Sequence, residues 1–122
     1  MEFGVGIHGE PGRRREKLRS AAEIVAEMTE TILSDLAPAD GSQVLAFVNG
    51  LGGTPLIELY LIYNELAKQL ADRGLTAARS LVGNYITSLE MAGVSITLLE
   101  LDDELTTLWD APVHTAALRW GA

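Results

Sequence analysis

The sequence predicts an α/β fold: a two-layer domain whose mixed sheet holds parallel and antiparallel strands, with helices mainly on one face. Three observations predict it. Apolar residues recur at helical spacing over 20–38 and again over 55–73. Short strand-like runs precede and follow each of these helices, the alternation that gives parallel strands joined by right-handed crossovers. The runs at 77–86 and 94–101 are separated by too few residues for a crossover helix, so those two strands are expected to run antiparallel.

Composition bounds the rest. The chain has 122 residues, 48% of them apolar, enough for one core and one domain over 1–122. It has no cysteine, so neither a disulfide framework nor a thiolate metal site is available. The formal net charge of −8 argues against nucleic acid as a partner. No apolar run approaches the length that spans a bilayer and no leader pattern opens the chain, so the expectation is a cytoplasmic protein with no membrane partner.

The first twelve residues, MEFGVGIHGEPG, read as a strand that breaks into a stiff loop. Phe3, Val5 and Ile7 fill one face, whereas Gly4 and Gly6 leave the other bare up to His8. Gly9 and Gly12 permit turns and Pro11 stiffens the loop, which places His8 at a strand end. Glu10 lies two residues on, where an extended chain points it to the same side as the imidazole. It either orients that ring or is a solvated carboxylate. Arg13, Arg14, Arg15, Lys17 and Arg19 then gather five of the nine basic residues. They read first as a solvated linker into a helix and second as an anchor for an anionic partner.

Ser20 and Glu23 form a Ser-x-x-Glu capping box, after which Ile24, Val25, Met28, Ile32, Leu33 and Leu36 mark an amphipathic helix closed by Pro38. Asp40, Gly41 and Ser42 form a turn, and Gln43 to Val48 suits a buried central strand. The following Asn49–Pro55 stretch is a glycine loop, with Thr54 as the expected N-cap and Pro55 as the first helical residue. Its spacing matches no phosphate-binding fingerprint, so a tight turn is the first reading and a ligand loop the second.

The helix from Pro55 to about Arg73 is apolar nearly all round over its first two turns, through Leu56, Ile57, Leu59, Tyr60, Leu61, Ile62 and Tyr63. Such a helix needs a second burial surface, which in a small domain means a partner: another subunit, as in a homodimer, or another domain. Asp102, Asp103 and Glu104 fit a helix N-terminus better than a metal site. Leu105, Leu108 and Trp109 continue that short helix, and the tail from Val113 to Trp120 is extended, with His114 in a structural place.

Four strings carry a resemblance: GVGIHGEPG at 4–12, VNGLGGTPLIELY at 48–60, SLEMAGVSITLLELDDE at 88–104 and LWDAPVHTAALRWG at 108–121. In this order they resemble the dihydroxyacetone kinase family, specifically the C-terminal domain of its substrate-binding K subunit. Ala116 stands where that family's closing motif has proline.

The resemblance implies that His8 bonds covalently to the carbonyl carbon of dihydroxyacetone (glycerone) as a hemiaminal, with Gly4, Gly6, Gly9 and Glu10 in the substrate pocket. A neutral imidazole is nucleophilic and a carbonyl can trap it, which excludes glycerol. It also implies that a His and an Asp assisting this chemistry lie in an N-terminal domain missing from this chain. The nucleotide, ADP or ATP with Mg²⁺, would sit on a partner L subunit or domain, so this chain is expected to hold no cofactor or metal and to be inactive alone. The ending at Ala122 slightly favours the separate-subunit, phosphotransferase-system type. The alternative is a non-catalytic module that senses dihydroxyacetone or mediates assembly.

Overall fold

The computed structural model describes residues 1–6 and 10–121. Helix α1 spans Ala21–Leu36. Its start is the expected capping box: Ser20 Oγ accepts from the Glu23 amide at 3.3 Å, and the Glu23 carboxylate accepts from the Ser20 amide at 3.1 Å. The Ser20 hydroxyl and amide accordingly hold the Glu23 carboxyl below its ordinary range. The helix stops at Ala37, which takes a left-handed φ of 46° and donates its N–H to the Leu33 carbonyl.

The central strand is β3, Gln43–Gly50. It pairs in parallel with β4, Thr76–Gly83, and antiparallel with β5, Val94–Glu100, so the sheet order is β4-β3-β5. Helix α2, Leu56–Ala71, makes the crossover between the parallel strands. Both helices pack on the face that carries Val44, Ala46 and Val48, and their Val25, Leu59, Leu66 and Leu70 complete the core with Ile96 and Leu98. Leu99, on the opposite face, is 43% exposed. The mixed sheet, the helix placement and the antiparallel return are as the sequence predicts.

The N-terminal segment differs. The expected strand through residue 8 would have joined the sheet by a first crossover. Instead β1 is Glu2–Phe3 and pairs antiparallel with β2, Arg14–Arg15, in a separate two-stranded ladder. Gly4 ends β1 by taking φ +76°, a conformation that glycine adopts readily and extended strands do not. The main sheet therefore has one parallel crossover, through α2, and not two.

Three further differences come from side-chain and strand contacts. Thr54 does not cap α2: the N-cap is Pro55, and the Thr54 hydroxyl is taken up by Gly93. Strand β4 ends at Gly83 rather than 86, because the Asn49 side chain captures the amides of Tyr85 and Ile86. The tail forms its own small hairpin, β6 at Val113–His114 with β7 at Arg119–Trp120. That hairpin folds back on helix α3, Asp103–Asp110, through the Trp109–Trp120 ring contact and the indole N–H of Trp120 donated to the Ala111 carbonyl. Asp102 caps α3 as expected, accepting from the Leu105 amide at 2.7 Å.

Candidate functional site: a groove at the carboxyl ends of the parallel strands

In an open α/β sheet, ligands bind outside the carboxyl ends of the strands. Here β3 and β4 end at Gly50 and Gly83, and the segments that follow them fold against each other. Asn49 is 1% exposed and spends its whole side chain on this junction. Its carbonyl oxygen accepts from the Tyr85 and Ile86 amides, and its amide nitrogen donates to the Ile86 carbonyl at 2.8 Å. Asn84 answers from the other segment by accepting from the Gly52 amide at 3.2 Å. Backbone bonds from Ser88 to Leu51, from Leu51 to Gly93 and from Gly53 to Met91 close the pair.

Gly53 shows why the glycines are there. A Cβ on it would lie 2.9 Å from backbone atoms of Met91 and Ala92, so a side chain cannot be admitted without moving main chain. This supports the tight-turn reading of the glycine loop.

These segments form one wall of a groove of about 1350 Å³. Leu51, Thr54, Thr87, Ser88 and Met91 line it from the strand ends, and Ile24, Val25 and Met28 line it from α1. The N-terminal segment closes the third side with Phe3, Gly4, Val5 and Gly6. The lining is largely apolar, and its described titratable side chains are Glu2, Arg19 and Glu58. Among the described residues no group of three or more His, Cys, Asp or Glu side chains could hold a metal. His114 belongs to the tail hairpin and does not line the groove.

Of the sequence-predicted site residues, Gly4 and Gly6 line this groove, while His8 and Gly9 lie outside the described residues. The bare glycine face is not empty space. The place of a Gly6 Cβ is filled by the Glu10 side chain, whose Oε2 lies 2.0 Å from it, and that of Gly4 faces the Arg13 side chain, with Cγ at 3.1 Å. The Gly6 amide also donates to the Glu10 carbonyl at 3.2 Å, which brings the two flanks of the motif together.

The basic run is not simply a solvated linker. Arg14 donates to Glu16 at 3.0 Å and to Glu27, while Arg19 donates to Glu27 at 2.7 Å and lies 2.7 Å from Glu16 Oε1 as an ion pair without hydrogen-bond alignment. The Arg14 and Arg19 guanidinium groups hold both carboxyls below the ordinary carboxylate range. In return Glu16 and Glu27 raise Arg14, and Glu27 and Glu16 raise Arg19. The Arg14 guanidinium also covers the Phe3 ring, 4.8 Å from its centroid.

Sequence reasoning missed Asn49, the Thr54 contact to Gly93, and Glu27. One signal was present: Asn49 is the polar residue that ends a buried apolar run just before the glycines. The expectation of an unpartnered face on α2 is met, since Leu56, Ile57, Tyr60 and Leu61 are all about half exposed or more.

Comparison with known proteins places this geometry. Residues 1–117 match the Dak1 domain family. The chain is 46% identical to the dihydroxyacetone-binding subunit DhaK of the PEP-dependent dihydroxyacetone kinase of Escherichia coli K12, over 99% of this chain and 41% of that protein. It is 45% identical to the L-erythrulose 1-kinase of Mycolicibacterium smegmatis, over 100% of this chain and 22% of that protein. A solved structure of the dihydroxyacetone kinase operon co-activator DhaQ superposes with a TM-score of 0.82 at 34% identity, covering 91% of this chain and 35% of that one. The chain thus spans less than half the length of each of these relatives. With its sequence matched nearly end to end and its fold shared with the DhaQ structure, the chain belongs to the Dak1 domain family.

Proposed function

We propose that this chain is the ketose-holding part of a dihydroxyacetone kinase, with His8 as the group that captures the substrate. The observation that carries the reading is that Gly4 and Gly6, which lead into the GIHGEPG motif, line the groove at the carboxyl ends of the parallel strands. The DhaK and erythrulose kinase relatives support a ketose as the ligand class.

In the proposed chemistry a lone pair on a neutral His8 ring nitrogen attacks the carbonyl carbon of dihydroxyacetone. One C–N bond forms, the C=O π pair moves to oxygen and picks up a proton, and the ring gives up its N–H proton. The product is a neutral hemiaminal that leaves a terminal hydroxyl free. Gly9 and Glu10 complete the pocket around it. The partner L subunit or domain supplies the phosphoryl group from nucleotide with Mg²⁺. The His and Asp that assist the transfer belong to the family's N-terminal domain, so the isolated chain traps ketose without phosphorylating it. The exposed α2 stripe is the surface on which a second copy or the remainder of the kinase packs, and the setting is the cytoplasm.

A second reading, a dihydroxyacetone-sensing module without catalysis, is favoured by one observation: the operon co-activator superposes with a TM-score of 0.82. Native mass spectrometry with dihydroxyacetone, with glycerol and His8→Ala as controls, tests the capture step. An added triose absent from both controls supports it; no adduct from a folded chain overturns it. Capture on the L subunit of a kinase then separates the two readings, since a sensor ignores that partner.

A further inference from the structure

The ladder of Glu2–Phe3 with Arg14–Arg15 is two residues long, too short to hold a loop in place by itself. Yet its two strands flank the GIHGEPG motif in sequence. Main-chain bonds tie its two sides, from Arg13 N–H to the Phe3 carbonyl at 2.7 Å and from Glu16 N–H to the Met1 carbonyl at 3.0 Å. None of these bonds reaches the rest of the fold.

Among the described residues, one polar connection to the rest of the fold is a ring of four alternating charges: Arg14, Glu16, Arg19 and Glu27. Three of its corners precede α1, and Glu27 alone among them belongs to the helix. Its two carboxylate oxygens divide the work. Oε1 accepts from Arg14, which covers Phe3 at the foot of the loop, and Oε2 accepts from Arg19, which lines the groove. Within the ring, each link from the N-terminal segment to α1 therefore ends on Glu27. The ring is partly screened, its side chains being 24–42% exposed, and part of its strength comes from charge.

We propose that Glu27 is a positioning residue for the ketose-capturing motif: through Arg14 and Arg19 it fixes the β1–β2 ladder that flanks the motif against α1, at the edge of the groove. The inference rests on the His8 reading for its functional half and stands on the ring geometry for its structural half.

Hydrogen exchange and dihydroxyacetone affinity, measured together, test it. The variants are Glu27→Gln, Arg14→Gln, the double variant, and Glu30→Gln as a control that removes an α1 carboxylate bonded to Arg73 instead. In Glu27→Gln the amides of residues 4–6 and 10–13 should exchange about tenfold faster, a larger change than that of the α1 and sheet amides, and the dihydroxyacetone adduct should weaken about tenfold at low salt. Arg14→Gln leaves the Arg19 bond to Glu27 in place and should give a smaller change, while the double variant should match Glu27→Gln, which already breaks both links to α1. Roughly 1 M salt should bring the wild-type loop towards the variant. Glu30→Gln should leave loop and adduct unchanged. Unaltered loop exchange in both single variants overturns the proposal, as does faster exchange with unaltered adduct affinity. A wild-type chain that forms no adduct defeats the His8 reading alone, and the exchange data still decide whether Glu27 anchors the loop.

Discussion

The Thr54 hydroxyl donates to the Gly93 carbonyl at 2.8 Å and accepts from the Gly93 amide at 2.9 Å, so one side chain satisfies both backbone groups of a residue 39 positions away. This pins the start of α2 to the entry of β5 and sets the wall of the groove between them. Thr54→Val keeps the shape and loses both bonds, leaving Gly93 polar groups without these partners. The expected loss is about 1–3 kcal/mol in denaturant unfolding.

Asn49 makes three hydrogen bonds from a position that water does not reach. Asn49→Leu should destabilise by at least about 2 kcal/mol and accelerate amide exchange over residues 84–93. An equal loss of stability with no change in that segment would mean that Asn49 does not hold it.

Thr29 is fully buried in α1 and its hydroxyl has no hydrogen-bond partner among the described residues. A buried hydroxyl without a hydrogen bond is a cost, so Thr29→Val should be neutral or stabilising by up to about 1 kcal/mol. A clear drop in urea midpoint would show that the hydroxyl is satisfied in solution.

Leu59 is 0% exposed in the middle of the core. Leu59→Ala should cost about 2–5 kcal/mol and serves as the reference against which the polar substitutions are read.

Two pH effects have opposite origins. His8 must be neutral to attack, so adduct yield should fall as pH drops below about 6.5, the unperturbed imidazole value. A yield unchanged at pH 5 would count against the capture chemistry. Glu16 and Glu27 are instead held below the carboxyl reference of 4.5 by Arg14 and Arg19. Groups with a depressed folded pKa stabilise above the unfolded value, and that stability is lost as pH falls through the folded one. The urea midpoints of wild type and Glu27→Gln should therefore differ at pH 7, and the difference should shrink as pH falls below the carboxyl reference of 4.5.

By itself the sequence determined what local rules control. The Ser20–Glu23 box, the apolar spacing of both long helices, the Asp102 cap and the buried run at 43–48 each depend on near neighbours, and each lies where it was read. The short link between the last two main strands likewise settled their antiparallel sense. The resemblance of the GIHGEPG string named His8, a residue outside those described.

Tertiary structure alone decided the rest, because distant partners competed with local preference and won. Thr54 had the composition of an N-cap, but Gly93 took its hydroxyl. The first residues had a strand pattern, but the left-handed Gly4 and the Arg14–Arg15 pairing turned them into the foot of a loop. The arginine run looked solvated until Glu27 was brought beside it from α1. Periodicity reports which face is wet; it carries no record of which charge or amide will arrive from elsewhere in the chain.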